Sequence, residues 1–214
     1  MILAYHVIFG AYGFWLPNDP RGSWSQFIRS YELYRSGPAT KVNTRRSVAG
    51  SHHDRTARQR AKAALQYPPV MFTGHQALSI GRGFAWRTER SGFAIHACSV
   101  LPDHVHLVVG RHRLAIEQME NLLKGSASYQ LRVDGRHPLS NRAQPDGSLP
   151  SPWAQGLWKV FLDSEQRVRE AIEYVQQNPV KAGYAPQNWS FVTPFGNKTR
   201  PFRAVAKRRQ RTVH

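Results

Sequence analysis

Seven segments with regular hydrophobic patterns follow one another along this 214-residue chain in the order β–α–β–β–α–β–α. Strands are predicted over 3–12, 93–100, 104–110 and 157–163, and helices over 74–85, 115–131 and 165–177. Only Leu-Pro-Asp separates the two middle strands, which indicates a hairpin. This order is that of the split βαβ pattern. The sequence therefore predicts an α+β, ferredoxin-like fold: an antiparallel sheet backed by helices, with one extra helix at the C-terminal end.

One long stretch departs from this pattern. Residues from about 17 to 72 are rich in turn-forming and polar residues, and they are predicted to form an insertion after the first strand, with helices over 24–35 and 55–66. The last helix is expected to stop at Asn178-Pro179, because the residue before a proline disfavours helical dihedrals. We therefore predict one domain over 1–186 and a basic C-terminal tail over 187–214.

The charge balance indicates the kind of partner. Thirty Lys and Arg stand against 13 Asp and Glu, a formal net charge of +17, and such an excess attracts polyanions by releasing their counterions. Nucleic acid is favoured, because no basic amphipathic helix of the membrane-surface type is present in the sequence. No apolar run approaches the ~18 residues of a membrane span, and the lone cysteine excludes an intramolecular disulfide. We expect a soluble cytoplasmic protein associated with the nucleoid.

Two histidines, His104 and His106, stand two residues apart in one predicted strand. Because strand side chains alternate, both histidines share one face while Val105 and Leu107 point to the other. Imidazoles about 7 Å apart on a rigid strand, at ~3.3 Å rise per residue, can reach one divalent metal. A pattern this short is also common among ordinary half-exposed histidines, so the pair alone leaves both interpretations open.

A tyrosine, Tyr174, lies on the flank of the last predicted helix. Val168, Ala171, Ile172 and Val175 recur at the helical period and predict the buried stripe. At ~100° per residue, Tyr174 lies about 110° from the centre of that stripe, and Asn178 lies about 40° from Tyr174 on the same flank. The neighbouring Gln177 is expected to face solvent. A flank tyrosine is more often a boundary residue than a nucleophile.

The ordered set of motifs resembles the HUH single-tyrosine transposases and, within them, the REP-associated tyrosine transposase branch. The matching motifs are LPDHVHLVV, a helix containing Leu123-Lys124-Gly125, a strand rich in Trp and Phe, and AIEYVQQNPVKAGY. The match covers about 1–14 and 73–186 in the order that the family has. The insertion and the basic tail depart from the short members of that family.

The resemblance implies a metal-dependent endonuclease and strand transferase acting on single-stranded, hairpin or palindromic DNA. His104 and His106 would ligate Mg²⁺ or Mn²⁺, and the family's third ligand, a polar side chain one turn after the tyrosine, falls on Asn178. Tyr174 would attack the scissile phosphodiester and give a 5′-phosphotyrosyl enzyme and a free 3′-OH. Whether the site is built within one chain or across a homodimer stays open.

Several basic and aromatic side chains are candidates for DNA contacts. Lys124 and Lys181 adjoin the family motifs, while Arg45 and Arg46 in the insertion and Arg208 and Arg209 in the tail are candidates to grip flanking duplex. For all of them, a solvated surface charge is the alternative. Base stacking and core packing are both open for three tryptophans: Trp15, Trp24 and Trp153.

Three other interpretations compete with an active transposase. A catalytically silent DNA-hairpin-binding protein derived from such an enzyme is disfavoured because His104, His106, Tyr174 and Asn178 occur together. A ferredoxin-like RNA-binding module would need aromatic residues in strands 93–100 and 104–110, where His and Val stand instead. Replication initiators and relaxases with the same chemistry are usually larger or carry a three-histidine cluster.

Overall fold

The fold is centred on a four-stranded antiparallel sheet. In the computed structural model, which describes residues 1–23, 27–28, 31–42, 48 and 50–196, the strands are β1 (Ala4–Gly10), β2 (Ile95–Val100), β3 (His104–Gly110) and β4 (Trp158–Leu162). The spatial order is β2-β3-β1-β4, which is the ferredoxin-like arrangement that the sequence predicts. A hairpin joins β2 to β3, also as predicted, and is closed by a hydrogen bond from the Leu101 amide to the His104 carbonyl.

The two faces of the sheet have different environments. In β1, Val7 and Phe9 point into the larger core, together with Val105 and Leu107 of β3. The alternate residues, including Val108, face the opposite side. Because β1 pairs with β3 so that Gly10 opposes His104 and Ile8 opposes His106, side chains with the same parity on these two central strands share a face.

Two long helices cover the first face: α3 (Gly74–Ser91) and α4 (Ile116–Val133). Thr73 caps α3 in a capping box with Gln76. The helix runs beyond residue 85, where the sequence analysis ended it, because nothing breaks it before the left-handed Gly92. The helices touch at Gly83, where an added Cβ would lie 2.7 Å from the Ala127 backbone. Glycine therefore sets how closely α3 and α4 pack.

The opposite face is covered by α5 (Glu165–Lys181), capped by Ser164 as predicted. The expected stop at Asn178-Pro179 is wrong: the helix continues through Pro179 and ends before Gly183, which has φ +82°. Near a helix end, a proline removes only one late hydrogen bond, and the left-handed glycine is the stronger terminator. This extra turn keeps Lys181 on the helix.

The segment between β1 and α3 packs beside the sheet. Its described helices are α1 (Tyr31–Tyr34) and α2 (Arg55–Ala63), the latter capped by Asp54. The described part of the predicted 24–35 helix is thus a single turn. A small core of Leu16, Leu33 and Ala61 holds this segment together.

The outer edge of β2 is covered by residues that the sequence assigns to the tail. The Gln187 side chain bonds both the amide and the carbonyl of Val100, and the Thr193 amide donates to the Ile95 carbonyl. Trp189 lies so close to Gly81 that an added Cβ would approach its ring to 2.1 Å. Residues 187–193 therefore pack as part of the domain. No helix in the described ranges is long and apolar enough to cross a bilayer.

Candidate active site

Three histidines converge on the face of the sheet that α5 covers. His104 and His106 share that face on β3, as the sequence analysis predicts, and their ring centroids are 4.8 Å apart. His6 joins them from β1, with its ring stacked 5.4 Å from that of His106. In the strand register His6 is diagonal to His106, which is within reach for a ring. The sheet thus carries a histidine cluster that consists of His6, His104 and His106.

His6 and His106 are hydrogen-bonded to each other. The Nε2 atom of His6 lies 3.1 Å from Nδ1 of His106. Burial lowers the pKa of His6 to about 4. Burial, with the nearby His104 and His6 rings as smaller contributions, lowers the pKa of His106 to about 2. Both imidazoles are therefore neutral at neutral pH, which is the form that binds metal ions.

His104 is oriented by Asp103 and Phe14. Its Nδ1 lies 2.6 Å from Oδ1 of Asp103, and because a carboxylate only accepts, Nδ1 donates a proton to this bond and Nε2 is the ring nitrogen that faces away from Asp103. The Phe14 ring stacks on the imidazole at 4.7 Å. Gly10 permits this packing, since an added Cβ would meet the Phe14 ring at 2.8 Å. The His104 ring is thus fixed in both tautomer and tilt.

Tyr174 lies over the histidine cluster. Its ring centroid is 5.7 Å from that of His106 and 5.6 Å from that of His6, although 46% of the residue remains exposed. The helix phase predicted a flank position, and packing of α5 on β2, β3 and β4 turns that flank toward the histidines. An exposed phenol beside neutral imidazoles is accessible to a large substrate.

Asn178 is the remaining candidate ligand. It is half-buried one turn after Tyr174, while Gln177 is exposed and bonds Glu173, as the helix phase predicts. The Asn178 side-chain nitrogen is buried without a hydrogen-bond partner. Rotating the amide by a half-turn exchanges its two ends and puts an acceptor oxygen in that position. The amide nitrogen of Asn178 therefore loses no hydrogen bond if the side chain turns.

The donor set fits a metal site that is incomplete without a substrate. Among the residues that the structure describes, no group of three or more His, Cys, Asp or Glu side chains is arranged to hold a metal ion. Two imidazoles and one amide are neutral ligands, which suit Mg²⁺ or Mn²⁺ only when further oxygen ligands are supplied. A DNA phosphate carries such oxygens.

Lys181 is the cation of the site. Its ammonium lies 5.8 Å from the Tyr174 ring, because residues 174, 178 and 181 fall on one flank of α5. Its exposed position leaves the charge available to a phosphate.

Lys124 lies elsewhere and is buried. Its ammonium pairs with Glu120 and donates to the Ala154 and Gly156 carbonyls, at 2.7 and 3.1 Å. Burial lowers the pKa of Lys124 and raises that of Glu120, each opposed by its partner. In this structure Lys124 therefore fastens the loop before β4 to α4.

The other candidate DNA contacts divide into two groups. Arg45, Arg46, Arg208, Arg209 and Trp24 lie outside the described residues. Trp153 is 4% exposed and packs on Phe9 and Phe72 in the core, so packing is its role. Trp15 is half-buried and lines an open cleft beside α4.

The sequence analysis missed three residues of the site: His6, Asp103 and Phe14. The sequence did contain a signal for His6. Tyr5, Val7 and Phe9 alternate along its strand, so His6 points to the opposite face from them. The ferredoxin-like order pairs that strand with the one that carries His104. Asp103 is adjacent to His104 in sequence, yet its hydrogen bond depends on the hairpin turn. Nothing in the sequence indicates that Phe14 folds back onto His104.

The overall structure is similar to two solved structures. A REP-associated tyrosine transposase bound to a REP hairpin matches 88% of this chain and 74% of its own, at 14% identity and a TM-score of 0.44. A candidate transposase from Deinococcus radiodurans R1 matches 86% of this chain and 93% of its own, at 13% identity and a TM-score of 0.41. No protein-family model and no curated protein matches the sequence. At this degree of similarity, the function has to be argued from the residues of the site itself.

Proposed function

We propose that the protein is a metal-dependent DNA nicking and joining enzyme, a transposase, that uses Tyr174 as its nucleophile on single-stranded or hairpin DNA. The observation that carries this proposal is the approach of the exposed Tyr174 ring on α5 to within 5.7 Å of the buried, neutral His106 on β3, two elements far apart in sequence. Packing alone would not require an open phenol, three histidines and a cation at one end of the sheet.

The chemistry is a phosphoryl transfer to tyrosine. The Tyr174 oxygen forms a bond to the scissile phosphorus as the bond from phosphorus to the 3′ oxygen breaks. The phenol loses its proton as it attacks, and the departing 3′ oxygen gains one and becomes a free hydroxyl. The 5′-phosphotyrosine retains the energy of the broken bond, so attack by a 3′-OH rejoins the strand without an external energy source.

The surrounding residues position the reactants. His104, His106 and the Asn178 amide would hold Mg²⁺ or Mn²⁺, which when bound polarises a phosphate oxygen and offsets negative charge. Asp103 holds Nδ1 of His104, and Nδ1 of His106 would donate to Nε2 of His6, which would leave both Nε2 atoms for ligation. Lys181 adds a positive charge beside the tyrosine, where a phosphate would lie.

The test is formation of a covalent adduct. Purified protein is incubated with labelled single-stranded hairpin oligonucleotides and Mn²⁺, and wild type is compared with Tyr174→Phe. We expect a protein–DNA band that resists denaturation, requires Tyr174 and disappears with chelator. Tight hairpin binding without any adduct in either variant would instead favour the catalytically silent hairpin-binding protein.

A further inference from the structure

A large open cleft lies between α4 and the segment that joins β1 to α3. It has a volume of about 1490 Å³ and is bounded by residues 12–17, the turn after α2, α1, α4 and the 150–156 loop. Sites for drug-sized ligands usually span ~300–1,000 Å³, so this cleft has room for more than one small ring system. Its outer wall belongs to the segment between β1 and α3, of which the candidate active site uses only Phe14.

The walls of the cleft present aromatic rings. Tyr12 and Tyr67 form an edge-to-face pair at 5.9 Å, and the Tyr67 hydroxyl accepts a hydrogen bond from Gln144. Tyr31, on α1, is 73% exposed. An exposed aromatic ring on a concave surface is available for stacking with a planar ligand.

Trp15 is held rigidly at the mouth of the cleft. Its indole N–H donates to the Gly22 carbonyl at 2.7 Å, and the Arg21 guanidinium lies 3.8 Å from its ring centroid. Arg21 in turn pairs with the buried Asp19, which Arg58 of α2 also contacts. Because these contacts fix the ring before any ligand arrives, little conformational entropy is lost on stacking.

Residues that line the cleft adjoin, in sequence, residues that contact the histidine cluster. Tyr12 and Gly13 line the cleft, and the next residue, Phe14, stacks on His104. On the other side, Gly156 lines the cleft and Trp158 lies 5.7 Å from His6. Short stretches of chain therefore connect the cleft lining to the residues that contact His104 and His6.

The lining chemistry favours nucleobases. Within the described chain, no carboxylate lines the cleft, while Gln66, Asn121 and Ser128 add hydrogen-bonding groups beside the rings. Stacking on aromatic side chains recognises any unpaired base, whereas the bases of a duplex are already stacked on each other. The net charge of +17 draws the polyanion that carries those bases.

We infer that this cleft binds unpaired bases of the DNA strand that flanks the cleavage site, and that the segment between β1 and α3 exists to supply its aromatic wall. The inference rests on the proposed function for the nature of the substrate. It assigns a separate binding site, because none of the cleft aromatics belongs to the histidine cluster or α5.

The test compares two oligonucleotides that differ only in an unpaired extension. One is a blunt hairpin and the other is the same hairpin with a single-stranded extension, and binding is measured by fluorescence anisotropy with EDTA in the Tyr174→Phe background, so that no cleavage occurs. Tyr31→Ala and Tyr67→Ala should each weaken binding of the extended oligonucleotide about tenfold. Binding of the blunt hairpin should not change, and the salt dependence should keep its slope because no phosphate contact is lost.

Matched variants control for surface and folding effects. Tyr129→Ala removes another exposed tyrosine, from the part of α4 outside the cleft, and should bind both oligonucleotides normally. Tyr31→Phe keeps the ring and should restore binding, and thermal unfolding of Tyr31→Ala should match that of wild type. Equal losses on both oligonucleotides, no loss on either, or a change in oligomeric state by light scattering would overturn the inference.

Failure of the inference and failure of the proposed function are separable. If wild type forms the tyrosine adduct while the cleft variants bind extended DNA normally, the cleft inference fails and the proposed chemistry stands. If no adduct forms while Tyr31→Ala selectively loses extended DNA, the cleft inference stands and the chemistry fails.

Discussion

Nε2 of His6 and Nδ1 of His106 lie 3.1 Å apart, so residues separated by 100 positions share a hydrogen bond at the centre of the histidine cluster. The bond gives His6 a task that needs no direct contact with a metal or with DNA. It holds the His106 ring, and with His106 as the donor it leaves Nε2 of that ring free to bind a metal ion.

His6→Ala should therefore weaken metal binding. Removal of a partner that orients a metal-ligating histidine typically costs 10–100-fold in affinity, and we expect a loss of that order. The measurement is Mn²⁺ titration by electron paramagnetic resonance, on the complex of a hairpin oligonucleotide with protein carrying Tyr174→Phe. His75→Ala, at an exposed position at the start of α3, is the control. An unchanged Mn²⁺ affinity in the His6 variant would show that His106 is positioned without it.

Asp103→Asn should also weaken Mn²⁺ binding, by about tenfold. The amide can still accept from Nδ1 of His104, but it carries no negative charge and can present its NH₂ group instead, so the tautomer is less strictly set. Asp146→Asn, in an exposed loop, changes the net charge equally and should have no effect. If both substitutions reduce affinity alike, the cause is overall charge rather than the hydrogen bond.

Acid should destabilise the metal-free protein through His6 and His106. Both ring pKa values are lowered, to about 4 and about 2, from 6.5. The free energy of unfolding is therefore highest above pH 6.5. It decreases as the pH falls, because the unfolded chain then binds protons that the folded protein does not. Each histidine contributes a slope of about 1.4 kcal/mol per pH unit between pH 6.5 and its folded pKa. Urea unfolding with chelator at several pH values measures this slope.

The unfolded chain binds more protons than the folded protein between pH 4 and 6.5, and His6→Gln should lower that excess by about one proton. The dependence of the free energy of unfolding on pH should then be less steep in this range. His75→Gln, at an exposed position at the start of α3, is the matched control. A slope in His6→Gln equal to that of wild type would show that His6 is not held neutral by burial.

Lys124→Met should destabilise the fold rather than specifically weaken DNA binding. It leaves the Glu120 carboxylate buried and unpaired and frees the Ala154 and Gly156 carbonyls, and breaking a buried pair typically costs ~3–5 kcal/mol. Chemical denaturation measures the loss, and Glu120→Leu combined with Lys124→Met should recover most of it. Normal stability with weakened DNA binding would mean that Lys124 contacts phosphate.

Lys181→Ala should weaken DNA binding without a change in stability. One lost phosphate contact lowers the slope of log affinity against log salt by about one. The control is Arg113→Ala, which removes one positive charge as well. Arg113 is exposed and follows the end of β3 that is opposite to His104. An equal decrease in both variants would indicate a general charge effect.

The sequence carried enough local pattern to predict the sheet, the hairpin and the caps Thr73 and Ser164, because alternation and capping residues act over a few positions. The predicted end of the last helix at Asn178-Pro179 is wrong, because a rule based on neighbouring residues does not include the packing of α5 on the sheet. That packing outweighs the loss of one late hydrogen bond at Pro179.

The candidate site was predictable only where its members lie close in sequence. His104 with His106, and Tyr174 with Asn178, follow from strand alternation and helix phase. The contacts of His6 with His106 and of Phe14 with His104 depend on strand pairing and on how a turn folds back. Lys124 stands beside a family motif, but its burial against Glu120 is a tertiary property.

The continuation of α5 through Pro179 has a mechanical consequence. Tyr174, Asn178 and Lys181 are fixed to one hydrogen-bonded rod, so their mutual spacing is independent of the sheet. A sideways or hinged displacement of that rod would carry all three away from the histidines together and leave their order intact. The proposed nucleophile, amide ligand and cation thus keep a fixed spacing to one another, and the packing of α5 on the sheet sets the distance of all three from the histidines at once.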